Sequence, residues 1–344
     1  MRQDFFQTNG RSYKFGSGTV EKAHLKRHKK WDDEGVASTV GTIMALMVFL
    51  AFLSMFTSQY VPVWMEENEA SHMATAYGQF ATLKQAVDMQ ILVGTIQGTS
   101  PVQMFSPVKL GAEGIPMFAS PTPGYLSIYR SLSYNNVSFS YNTSASIVDH
   151  KTATGGTIKL YSPNRYYIEQ EVAFENDALI LKQPDGQYMK ATPQLIVTSV
   201  GSMYYISYTQ VDLRGDDTDY IGFGTRGVQT TMKSTTTTTF TNLTNESAPL
   251  TPTTHPYLYI NHTTLYERAW NVSFNQTLSN AGMRWGLNID DPNTDYTITS
   301  TQRPYPGYKD TFWEVSLRIK PNLVSRFSLT IAYIEISTSE LGAA

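Results

Sequence analysis

The chain contains no cysteine. That absence excludes disulfides, thiolate metal sites and a cysteine nucleophile together. A eukaryotic secreted protein of 344 residues would ordinarily carry disulfides, so the composition fits a prokaryotic surface protein held together by core burial. Charge is also scarce. Asp, Glu, Lys and Arg make up 16% of residues, against about 25% in an ordinary soluble protein, and none occurs between Val36 and Met65. The net charge of −3 leaves no basic footprint and argues against a nucleic-acid partner. Recognisable catalytic spellings are missing as well. There is no Gly-x-Ser-x-Gly elbow and no His-Glu-x-x-His helix, and the six histidines are scattered. The sequence therefore points away from an enzyme and implies no cofactor.

The residues present are arranged with a polarity. The first 35 carry eight Lys/Arg against five Asp/Glu, and the remainder carries 18 against 24. Between the two lies an almost wholly apolar run from Val40 to Phe56, followed by Tyr60 and Trp64. About 20 apolar residues at ~1.5 Å each cross a hydrocarbon core of about 30 Å. Lys22, Lys26, Arg27, Lys29 and Lys30 precede the run, and Glu66, Glu67 and Glu69 follow it. The positive-inside rule predicts a single span with a cytoplasmic N-terminus and an extracellular C-terminal domain in the cell membrane.

Beyond Pro62, which should kink or interrupt the helix, residues 66–94 read as an amphipathic helix. Met73, Tyr77, Phe80, Val87 and Ile91 recur on one face. From about residue 95 the pattern turns to strands. Phe327–Tyr333 alternates cleanly, as do Tyr204, Ile206 and Tyr208, and Val197–Val200 and Phe312–Ile319 are further candidates. Turn signals at Pro121–Gly124, Gly155-Gly156, Pro184–Gly186 and Arg214–Asp216 separate the runs. No further helical period is read in this region. The expected fold is α+β: a long N-terminal hydrophobic and amphipathic helix, then a mainly antiparallel β-sandwich or open barrel. The expected organisation is a basic leader (1–35), a transmembrane helix (36–65), a stalk helix (66–94) and a β-rich domain (95–344). The Thr-rich stretch from Gln229 to Thr244 reads as low complexity, mobile or O-glycosylated, with a division into two subdomains near 229–250.

A basic leader, then Gly35, then the short small-residue run Val36-Ala-Ser-Thr-Val-Gly and a hydrophobic helix resembles the class III signal of archaeal type IV pilin-like proteins. The resemblance implies cleavage between Gly35 and Val36 by a prepilin-type peptidase on the cytoplasmic side, leaving the hydrophobic helix intact. Two features depart from the pattern: Glu34 stands where a basic residue is usual, and the leader is long. A second stretch, Gly156 to Glu171 followed by Phe174–Leu181 and Pro193, looks like uncharacterised archaeal pilin-like secreted proteins. In its Tyr-rich turn and following strand, Tyr166, Ile168 and Val172 are expected to face a core.

N-glycosylation triplets stand at Asn136, Asn142, Asn242, Asn245, Asn261, Asn271 and Asn275, against roughly three or four expected by chance. Asp291, Asn293 and Asp295 have the alternating spacing of a calcium loop, but Tyr296 and Gln302 stand where an EF-hand needs Gly and a carboxylate. The acidic turn Asp212, Asp216, Asp217 and Asp219 reads more simply as turn chemistry. Gly222-Phe-Gly-Thr-Arg-Gly227 spells a dinucleotide fingerprint, but poor helix formers follow it, so a Gly-rich turn is the better reading. The expectation is a pilin-like structural or adhesive cell-surface glycoprotein. Its partners would be membrane lipid, the peptidase, and copies of itself or other pilin-like subunits through small residues such as Gly41, Ala45, Ala51 and Ser54. The alternative is a membrane-tethered ectodomain that binds or hydrolyses a cell-surface polymer.

Overall fold

The computed structural model describes residues 31–97, 103–144, 146–243, 255–304 and 311–340, with helix side chains from residue 37 onward. The basic leader through residue 30 and Asn245 lie outside the described residues. The chain forms two compact units, Met1–Met55 and Phe56–Ala344.

A single helix, α1 (Trp31–Gln97), carries the expected span and the expected amphipathic stretch without a break. Pro62, expected to kink or interrupt the helix, lies inside it without interrupting it. Proline removes one N–H from the ladder, at a cost of about 3 kcal/mol, and the helix-forming residues on both sides keep the element continuous. In the first unit Met44, Met47, Val48 and Phe49 are exposed. The helix is long and apolar enough to cross a membrane once.

In the second unit, α1 is followed by a mainly antiparallel β domain whose sheets curl into half-barrels. In chain order the strands are β1 (Gln103–Lys109), β2 (Gly124–Asn142), β3 (Ile147–Ser162), β4 (Gln170–Glu175), β5 (Ala178–Gln183), β6 (Gly186–Ala191) and β7 (Leu195–Val200). Then come β8 (Met203–Arg214), β9 (Thr218–Gly222), β10 (Thr225–Phe240) and β11 (Leu258–Thr264). A helix α2 (Glu267–Asn280) precedes β12 (Tyr296–Arg303), β13 (Phe312–Ile319) and β14 (Val324–Glu340). One sheet runs β1-β10-β14-β8-β7, with β14 and β8 its parallel pair. The larger sheet runs β12-β13-β11-β2-β3-β4-β5-β6, and β9 adds to the first half of β2.

Two hydrophobic cores fill the unit. One gathers Phe139, Tyr208, Trp270, Phe274, Leu317 and Phe327; the other gathers the stripe of α1 with Leu126, Ile158, Phe174, Leu213 and Ile334. β4 serves both. Val172 and Phe174 point to the second core and Ala173 to the first, which is why this strand reads as a continuous apolar run rather than an alternation.

Three expectations are corrected. The described part of the Thr-rich stretch is not mobile: Thr235–Thr239 lie in β10 and pair with Ala332 to Ser328 of β14. Threonine is β-branched and fits a pleated surface, so a run of it favours a strand. A further helix exists, α2, whose Ala269, Trp270, Ser273, Phe274 and Leu278 are buried at helical spacing. On α1, Met73, Phe80, Val87 and Ile91 are buried as expected, together with Ala76 and Leu83, but Tyr77 is exposed.

Candidate functional site

The described side chains concentrate their polar chemistry where α1 meets the β domain. Glu69, one residue type out of place on an apolar stripe, is completely buried. Its carboxylate accepts the Thr122 hydroxyl at 2.6 Å, the Arg165 amide at 3.1 Å, and the Tyr166 and Tyr167 amides at 2.8 Å each. Three consecutive backbone N–H groups converging on one oxyanion form a nest. Burial alone would raise the Glu69 pKa, but these donors outweigh it and hold the carboxyl below the usual range. The connection between β3 and β4 is therefore shaped around Glu69. That corrects the expectation for its residues: Tyr166, whose amide faces Glu69, is exposed and so is Ile168, while Val172 is buried in β4.

Further clamps follow along the helix. His72 Nε2 donates to the Lys109 carbonyl (3.1 Å), and Gln79 accepts the Lys109 amide (2.8 Å), so two α1 side chains secure the last residue of β1. Gln90 donates to the Thr230 carbonyl of β10 at 2.9 Å. Lys84 reaches Asp88 and, at 3.0 Å, the fully buried Asp177 in the β4–β5 turn. Asp177 is pushed well above the usual carboxylate range by burial; Lys84 opposes the shift and the Asp88 charge adds to it.

A second buried network joins the two sheets. His262 donates from Nε2 to Glu175 and accepts at Nδ1 from Asn135 (3.1 Å), because the Asn135 amide oxygen is occupied by Gln210 at 2.7 Å. The Tyr208 hydroxyl receives Asn135 at 2.6 Å and Asn176 at 2.8 Å, and burial raises its pKa. Trp270 of α2 covers the imidazole, with ring centroids 3.9 Å apart. Each member is enclosed and committed to its neighbours, the arrangement of a structural network rather than of a nucleophile open to substrate.

A polar hollow of about 230 Å³ is lined by Tyr161, Glu169, Glu171 and Lys182. Its acids are engaged. Glu171 faces Lys159 (3.4 Å) and accepts the Tyr266 hydroxyl (2.9 Å), and Glu169 accepts the Tyr161 hydroxyl, whose pKa is pushed up to about 12.

The sites expected from sequence are placed as follows. Gly35 and Val36 fall within the first turns of α1. Asp291 accepts the Asn293 amide (2.8 Å) within a turn, and Asp295 is paired with the Arg284 guanidinium (2.9 Å), which holds its carboxyl low. No group of three His, Asp or Glu side chains that could hold a metal ion occurs among the described residues. Asp212, Asp217 and Asp219 brace the wide bulge of β2 by accepting from the Gly155 amide, the Arg130 amide and the Tyr129 hydroxyl. Gly222–Gly227 is the β9–β10 turn entering a strand, and a side chain at Gly227 would strike the Phe105 ring. Asn142, Asn242 and Asn275 are exposed, whereas Asn136, Asn261 and Asn271 are half-buried.

No known protein-family profile, curated protein or solved structure matches the chain.

Proposed function

We propose that this chain is a pilin-like structural or adhesive protein of the cell surface, anchored by or assembled through its N-terminal hydrophobic helix. One observation carries the reading. A single uninterrupted helix is apolar and exposed over its first part and builds the core of the β domain with its second. Met73, Phe80, Leu83, Val87 and Ile91 are each fully or almost fully buried. At about 1.5–3 kcal/mol per side chain they contribute on the order of 10 kcal/mol, comparable to the whole stability of a domain. The anchor is thus inseparable from the domain it carries. The same arrangement suits a subunit that withdraws from lipid into a bundle of helices, and small residues at Gly41, Ala45, Ala51 and Ser54 permit close approach there.

On this reading the basic leader is cytoplasmic, the β domain is extracellular, exposed sequons carry glycans, and a prepilin-type peptidase cuts at Gly35–Val36. The test is the N-terminal residue of protein purified from native membranes. A chain beginning at Val36 supports peptidase processing and assembly; a chain retaining the leader sinks the pilin reading and leaves a permanent signal anchor.

A further inference from the structure

We propose that the loop of residues 114–121, between β1 and β2, is a second membrane contact that inserts into the headgroup–acyl boundary beside the helix. The inference rests on the membrane reading of α1 and goes beyond it.

The loop breaks a local rule at its tip. Ile115 and Ala119 exchange both backbone hydrogen bonds at 3.0 Å, closing a tight turn over Pro116, Met117 and Phe118. Proline followed by a residue of positive φ is a type II turn pattern, and the second position ordinarily calls for glycine. Here it is Met117, at φ 68° and fully exposed. A strained backbone that presents a large apolar side chain entirely to the outside makes sense when the outside is not water.

The surroundings specify what it faces. Phe118 packs edge-on against Phe56 at 5.3 Å, and Phe56 in turn packs against Tyr60 (5.8 Å) and Trp64 (5.5 Å). Tyr60 and Trp64 are the aromatic pair that marks a bilayer interface, and Phe56 ends the apolar run. The base of the loop lies at a polar level, where Asn68 donates to the Glu113 carbonyl at 3.3 Å. From Asn68 to Phe56 is twelve residues, roughly 18 Å along a helix. The loop therefore runs along α1 from the level of Glu66 and Glu67 to the end of the apolar run. No charged residue occurs from Gly114 to Tyr129, so nothing opposes its entry into lipid. Two attachments would restrain tilt and rotation of the β domain at the surface, which a lone helix does not.

The cysteine-free chain allows a direct test. Single Met117→Cys, Met47→Cys and Thr198→Cys variants of the full chain would carry an environment-sensitive fluorophore in phosphatidylcholine–phosphatidylglycerol vesicles. Nitroxide lipids labelled near the headgroup or near the bilayer centre report depth. The expected result is quenching at Met117 chiefly by the shallow nitroxide, at Met47 chiefly by the deep one, and none at exposed Thr198. If Met47 is quenched but Met117 behaves like Thr198, the loop proposal is overturned while the span stands. If Met47 also escapes, the membrane reading fails and the loop proposal with it. Unquenched Met117→Cys that oxidises to a dimer identifies a second copy as the occupant, and likewise overturns the lipid assignment.

Discussion

The Glu69 carboxylate accepts the Tyr167 amide at 2.8 Å, across 98 residues of sequence, and so ties the helix to the β3–β4 connection. Replacing Glu69 by Ala leaves the Thr122 hydroxyl and three amides without their acceptor. The expected loss is about 2–3 kcal/mol, read as a lower urea midpoint of the full chain in detergent at pH 7. The pH dependence has a definite sign. A carboxyl whose folded pKa lies below its unfolded value contributes stability above the unfolded pKa and loses it as pH falls through the folded one. Stability should therefore decline below the ordinary carboxylate range, and the decline should be shallower in Glu69→Ala. Equal slopes in both proteins would refute the role.

Asp177 predicts the opposite sign. Its folded pKa is raised, so the stability linked to its protonated form is present at low pH and is lost as pH rises through the folded value. Asp177→Asn removes a buried charge and keeps a residue that tolerates the positive φ of 65° at this position. It should be neutral or stabilising by up to about 1–2 kcal/mol at pH 7. Lys84→Met strips the cation that opposes the shift and should be destabilising at pH 7, with the Asp177 carboxyl protonated over a wider pH range. Thermal melts of both variants decide the matter: a destabilised Asp177→Asn alongside a tolerant Lys84→Met would invert the assignment.

What the sequence made legible follows from which effects are local. The long apolar helix announces itself through thirty consecutive uncharged residues, and Phe80, Val87 and Ile91 through their spacing, because both patterns lie within one element. Tyr77 misled because its ring sits at the edge of the stripe. Helix α2 was hidden by composition: Asn271, Ser273, Asn275, Thr277 and Ser279 are poor helix formers, and burial of Trp270 and Phe274 overrides them. The Glu69 nest was not legible at all. Backbone amides of Arg165, Tyr166 and Tyr167 have no signature in residue type, and only the fold brings them to the helix.

The Thr-rich segment makes a third prediction. Thr237 pairs side chain to side chain with Thr330 at 2.9 Å, and Thr239 with Ser328 at 3.2 Å. Replacing Thr237 and Thr239 together by Gly removes strand preference at about 1 kcal/mol each and should lower stability by about 2 kcal/mol. A mobile linker would register no change in the denaturation midpoint, and that result would count against the strand.

The last prediction concerns the glycans proposed for this surface. Attachment at the amide nitrogen of Asn needs that side chain to reach solvent in the folded protein. Asn142 ends β2, and its backbone N–H donates to the Asn242 backbone carbonyl at 3.0 Å, so these two exposed sequons sit together at one edge. Asn136 and Asn261 face each other in register between β2 and β11, each with a strand on its other side. The Asn261 amide oxygen also accepts the Ser316 hydroxyl at 2.6 Å. Both side chains are half-buried on the face of the sheet opposite Val137 and Ile260, which leaves little room for a glycan at either. Glycopeptide mass spectrometry of protein from native membranes should find occupancy at Asn142 and Asn242 and bare Asn136 and Asn261. Asn275 is exposed but accepts the Tyr296 hydroxyl at 2.7 Å on α2, so its occupancy should be lower than theirs. Glycan on Asn136 or Asn261 would mean that these side chains reach solvent more fully than their half-buried positions on the sheet allow.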